Sequence, residues 1–110
     1  MSDSFVHLHT HTDNSMLDGA SRIGPLVDAA VSMGMPAIAM TDHGTMFGAF
    51  ELWSEATKKG IKPIIGIEAY IAPESRKLKQ RVFWNEGGNS DDDVSGRGAY
   101  THLTLLSENS

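Results

Sequence analysis

The alternation of apolar and polar positions changes period several times along the chain, and each change marks an expected element. Residues 5–12, Phe-Val-His-Leu-His-Thr-His-Thr, alternate and favour a pleated surface, so they predict a first strand. Asp13-Asn14-Ser15 reads as a turn, and Met16 to Ala20 as a short loop. From an N-cap at Ser21, Ile23, Leu26, Val27, Ala30 and Val31 recur at helical spacing. Pro25 falls in the first turn, where a missing N–H is tolerated, and Gly34 with Pro36 ends the helix. The apolar run from Pro36 to Thr41 suits a buried parallel strand. Met46 to Lys59 predicts a second helix that buries Met46, Phe50, Trp53 and Ala56 and is closed by Gly60. Lys62 to Ile67 predicts a third strand running into 68–72.

This β-α-β-α-β order implies right-handed crossovers and a parallel α/β sheet or barrel. The pattern then stops. Residues 73–98 hold few apolar residues and include Gly87-Gly-Asn-Ser90 and Asp91-Asp-Asp93, so they are expected to form a flexible, solvent-exposed insertion. Tyr100 to Leu106 restores a strand pattern. A parallel barrel needs about eight βα units, so residues 1–110 are expected to be the N-terminal part of a larger domain, with one sheet flank left open.

Composition narrows the function classes. Fourteen carboxylates against nine Lys+Arg give a formal charge of −5, which argues against nucleic-acid binding by bulk charge. No apolar run approaches a membrane span, and residues 1–5 lack the basic start of a signal peptide. The absence of Cys removes disulfides and thiolate zinc sites from this stretch, and fits a cytoplasmic location.

The candidate chemistry lies at the strand ends. His9 and His11 are two apart on the first predicted strand, Asp18 follows it, His43 follows the second, Glu68 ends the third and His102 lies on the last. Each alone has an ordinary explanation as a surface or loop residue. Jointly they bring imidazoles and carboxylates to the carboxyl edge of a parallel sheet, where sites form. Such a mixed N/O donor set suits Zn²⁺, Mn²⁺ or Fe²⁺, with Mg²⁺ admissible. More than four candidate ligands suggests more than one ion, the arrangement used in phosphoester hydrolysis. Asp42 is expected to orient His43 or a neighbouring loop, and His7 to serve structure or hydrogen bonding. Arg76, Lys77, Lys79 and Arg81, beside Phe83 and Trp84, read as a solvated basic turn, with contact to a DNA backbone as the alternative.

The ordered string His9-Thr-His11, Asp18, Thr41-Asp-His-Gly44, Glu68, His102 resembles the PHP (polymerase and histidinol phosphatase) superfamily. The flanks Ser15-Met-Leu-Asp-Gly-Ala20, Gly34 to Gly44, Gly60 to Tyr70 and Thr101 to Leu106 resemble, more narrowly, the N-terminal PHP domains of bacterial DNA polymerase III alpha subunits, actinobacterial forms above all. The resemblance covers nearly the whole chain apart from 73–98. It implies a distorted (β/α)₇ barrel whose rim holds two to three divalent ions. His9, His11, Asp18, His43, Glu68 and His102 match its ligand positions, Glu68 the bridging one. The remaining ligands, including a late Asp-x-His pair, and the polymerase palm, fingers and thumb would lie beyond residue 110. The resemblance further implies a metal-dependent 3′–5′ exonuclease that proofreads during DNA replication. Its partners would be the primer 3′ end, the rest of the polymerase chain and replisome subunits such as the sliding clamp, with no membrane. The fragment alone is expected to be inactive. Two other outcomes are compatible with these residues: a free-standing PHP phosphatase acting on a small phosphate monoester such as histidinol phosphate, and a non-catalytic docking and stability module.

Overall fold

The structure, a computed structural model, describes residues 4–15, 18–79 and 101–109. Its elements in order are α1 (Ile23–Ser32), β1 (Ala37–Met40), α2 (Ala49–Lys59), β2 (Lys62–Ile71) and β3 (Thr101–Leu106). They fall into two compact units, Met1–Glu68 with Thr104–Ser110, and Ala69–Leu103.

In the first unit, β1 and β2 pair in parallel, Ala37 opposite Lys62 and Met40 opposite Ile65. All four residues of β1 are buried, as expected of a short apolar parallel strand. The strand order is β1-β2-β3, with Ser107 N donating to Ile65 O at 2.9 Å. The core gathers Ile23, Val27 and Ala30 of α1, Leu52 and Ala56 of α2, and Met35, Ile38 and Met40. Both helices end as their glycines foretell. Gly34 and Gly60 take φ of +73° and +76°, and the following residues return their N–H to Ala30 and Ala56.

Three expectations need correction. Residues 5–12 do not form a regular strand. They run beside β1, but the acceptors His7 O and Thr10 O are three residues apart while their donors Ala39 N and Thr41 N are two apart. One extra residue therefore sits on the first segment, the chain bends at His9, and the ladder is lost. The first helix starts after Arg22 rather than Ser21, because the Ser21 backbone is engaged elsewhere: it bridges Thr12, and its carbonyl accepts from Asp13 N at 3.0 Å. The second helix starts at Ala49, not Met46, and turns a different face inward. Leu52 and Ala56 are buried, whereas Phe50 is 75% exposed and Met46 and Trp53 are about half exposed.

In the second unit, residues 73–79 form no helix or strand, and Leu78 N closes a turn onto Ser75 O at 3.0 Å. Arg76, Lys77 and Lys79 are exposed. The rest of the expected insertion, with Arg81, Phe83, Trp84 and Asp91–Asp93, lies outside the described residues, as do Met16, Leu17 and Tyr100.

Candidate metal centre

Four stretches of the first unit converge where β1 ends. The segment beside β1 brings His9 and His11, and the turn after Thr12 brings Asp18. The loop after β1 brings His43. Strand β2 carries Glu68 within its length instead of ending there, because a parallel bridge between His43 and Glu68 continues the pairing past Met40.

Glu68 is the centre of the cluster. Its side chain is only 8% exposed, and it meets three imidazoles. Its Oε2 lies 2.5 Å from His9 Nε2 and 3.1 Å from His11 Nε2, and its Oε1 lies 3.8 Å from His43 Nδ1. Asp18 closes the opposite side, its Oδ2 2.6 Å from His43 Nε2 and 4.0 Å from His11 Nε2. The rings of His11 and His43 stack between the two carboxylates. One ligand atom from each of His9, His11 and Glu68 fits within 4.8 Å, and so does one from each of His11, Asp18 and His43.

The chemistry of this donor set fits divalent ions. With neutral imidazoles, the two carboxylates leave the cluster with two negative charges in a partly desolvated place, and one divalent cation balances them. Burial pushes the Asp18 carboxyl up, but the Ser15 hydrogen bond and the neighbouring His11 and His43 outweigh it, so the group sits below its ordinary value of 3.8. Asp18 is thus kept ionised and ready as a ligand.

His102 belongs to the second unit, where its ring stands edge-on to Tyr70 with centroids 5.1 Å apart. His7 turns to Phe5, with ring centroids 4.7 Å apart, and belongs to no group of potential metal ligands among the described residues. The Asp42 carboxylate serves the neighbouring loop: it is fully buried and accepts from Thr12 N at 2.6 Å and Thr12 Oγ1 at 2.7 Å. Sequence reasoning missed Ser15, which it read only as part of a turn. The Ser15 hydroxyl donates to Asp18 Oδ1 at 2.7 Å and accepts from His43 N at 3.1 Å. The signal available was the Ser-x-x-Asp spacing, by which a hydroxyl and a carboxylate meet across one turn.

The profile of the PHP domain family matches residues 7–110. The chain belongs to the PHP domain family. Among sequence relatives, this PHP segment is 59% identical over 106 residues to DNA polymerase III subunit alpha of Mycobacterium tuberculosis, a match taking in 96% of this chain and 9% of that protein. The corresponding subunit of Saccharopolyspora erythraea is 57% identical over 114 residues, covering 97% and 10%. That of Thermus aquaticus is 45% identical over 106 residues, covering 94% and 8%. The chain therefore spans no more than a tenth of the length of these curated relatives. Among solved structures, an amidohydrolase from Chromobacterium violaceum aligns with a TM-score of 0.54 and 28% identity, over 61% of this chain and 23% of that one. A protein assigned as a metal-dependent phosphoesterase from Bifidobacterium adolescentis aligns with a TM-score of 0.57 and 24% identity, over 69% and 25%, and speaks for the fold alone. The PHP segment is thus a mixed α/β structure with PHP-like neighbours. Among its described residues no helix is long and apolar enough to cross a membrane.

Proposed function

We propose that this PHP segment is the N-terminal part of a DNA polymerase III alpha subunit, and that it carries part of a multinuclear metal site for 3′–5′ exonuclease proofreading. The observation that carries the reading is Glu68, a nearly buried carboxylate that presents its two oxygens to three imidazoles from two separate stretches of chain. The high identity to polymerase alpha subunits supports the wider context of replication. His9, His11, Asp18, His43 and Glu68 would hold the ions, joined by His102 and by residues beyond 110 once the (β/α)₇ barrel is complete. Divalent ions held there would supply the charge that lowers the pKa of water and steadies the leaving oxygen of a DNA phosphodiester. The chain's own part is to orient the donors. Glu68 sets the three imidazoles around one carboxylate, and the Asp18 turn closes the far side. Zn²⁺, Mn²⁺ and Fe²⁺ all suit this donor set. The primer 3′ end, the rest of the polymerase and replisome proteins such as the sliding clamp would be its partners, in the cytoplasm.

The test compares wild type with His11→Ala and Glu68→Ala in the full-length protein, measuring 3′-mismatch removal and primer extension on the same preparations. Mismatch removal is expected to fall at least about 100-fold, with extension affected less. Normal mismatch removal by a stably folded His11→Ala protein would defeat the catalytic reading and leave a docking and stability module in its place.

A further inference from the structure

We propose that Ser15 is a positioning residue of this metal centre: its hydroxyl locks the Asp18 carboxylate and the His43 backbone together, so that Asp18 offers a divalent ion Oδ2 alone. The inference rests on reading the cluster as a metal centre, and it adds a residue outside the ligand set to that centre.

Ser15 is buried, with 1% of its surface exposed. A hydroxyl has one proton to give. The Asp18 carboxylate, held ionised, can only accept, and the His43 N–H can only donate. The single Ser15 proton is therefore committed to Asp18 Oδ1, at 2.7 Å, while a lone pair takes the His43 N–H, at 3.1 Å. With Oδ1 engaged, Oδ2 is the oxygen that faces the His43 and His11 rings. A carboxylate with both oxygens free can chelate an ion through the pair. One whose first oxygen is held by a hydroxyl binds through the second, in a fixed direction.

The surroundings keep Ser15 from drifting. Its N–H donates to Thr12 O at 2.9 Å, and its carbonyl accepts from both Asp18 N at 3.2 Å and Gly19 N at 2.9 Å. Thr12 is in turn clamped by the Asp42 carboxylate. The turn is closed so tightly that a Cβ on Gly19 would stand 1.7 Å from Thr12 O. The hydroxyl thus sits on a rigid base, and its two contacts reach two different candidate ligands.

The test is a double-mutant cycle in the full-length protein: wild type, Ser15→Ala, Asp18→Ala and the pair. Zn²⁺ and Mn²⁺ affinities are read by chelator competition, and Co²⁺ absorption reports coordination geometry. Ser15→Ala is expected to weaken metal binding about 10–100-fold and to shift the Co²⁺ bands. In the Asp18→Ala background the same change should cost markedly less, because only the hydroxyl's contact with the His43 backbone is left to lose. Unchanged affinity and spectrum in Ser15→Ala, or an equal loss in both backgrounds, would overturn the proposal and leave Ser15 a purely structural residue. If Ser15→Ala does not fold, Ser15→Thr and Ser15→Val make the same comparison at matched shape, with the hydroxyl kept in one and lost in the other. Failure of the wild type to bind any of these ions would instead count against the metal centre itself.

Discussion

The imidazoles of His11 and His43 lie face to face, their ring centroids 4.4 Å apart and their planes 7° from parallel. Both direct Nε2 towards the same oxygen of Asp18, so each ring limits the rotation of the other. A cation seated among these groups would bind the folded chain and not the unfolded one. Chelation should therefore lower the thermal midpoint of the full-length protein. At metal about 100 times its Kd the loss is about 2.7 kcal/mol. Removing one ring should shrink the difference between metal-loaded and chelated samples. Thermal unfolding of wild type and His43→Ala, each with and without EDTA, checks it; identical midpoints in the wild type would speak against bound metal.

Asp18 makes a pH prediction for the metal-free protein. Despite the opposing push of burial, Ser15, His11 and His43 hold its carboxyl below the ordinary 3.8. A depressed folded-state value contributes stability that is present above pH 3.8 and is lost as pH falls through the lower folded value. Wild type should thus exceed Asp18→Asn in urea midpoint near neutrality by a margin that shrinks on acidification below pH 3.8. A margin independent of pH between neutrality and pH 2 would refute it.

Asp42 should be a stability residue first. It is fully buried, and truncation leaves both the Thr12 N–H and the Thr12 hydroxyl without their acceptor. Each orphaned group costs about 1–3 kcal/mol, so Asp42→Ala should lose roughly 2–6 kcal/mol. Asp42→Asn should be milder, since its carbonyl can keep the Thr12 N–H while the Thr12 hydroxyl rotates to accept from the amide. Denaturant unfolding separates them; equal losses would show that charge, rather than hydrogen-bond geometry, matters here.

The two faces of α2 should respond oppositely. Leu52→Ala removes a side chain with no exposed surface and should cost about 2–5 kcal/mol. Phe50→Gln, at a position 75% exposed, should stay within about 0.5 kcal/mol. Urea titrations of the two variants check this, and a large loss in Phe50→Gln would mean that its ring is covered in the intact protein.

That contrast also shows where sequence reading stopped. The stripe Met46, Phe50, Trp53 and Ala56 and the inward set Leu52 and Ala56 differ by part of a helical turn. Hydrophobicity alone favours the more aromatic stripe, since it cannot tell a core from a surface left for something else to cover. The glycines at 34 and 60 were legible because a left-handed helix end admits few other residues. Strands β1 and β2 were legible because continuous apolar runs between such stops have little else to become. The first segment was not: alternation shows which residues suit a strand, but not that one extra residue at the bend at His9 would cost the ladder. Of the candidate site, His9, His11, Asp18, His43 and Glu68 were each visible as chemistry. Ser15 was hidden because a buried serine and a turn serine are the same letter.

The grip of Asp42 on Thr12 has a consequence for how this architecture tolerates change. Thr12 follows His11 directly, and Asp42 directly precedes His43. The clamp is therefore a rivet placed one residue from each of two candidate ligands. Everything between, including the whole of α1, hangs from it as a closed loop. Insertions or deletions at the exposed end of α1, clear of Ser15, Asp18 and the buried face of the helix, can be absorbed in that loop without altering the distance between the two imidazoles. Length can drift at that exposed helix end while the spacing of the site stays the same.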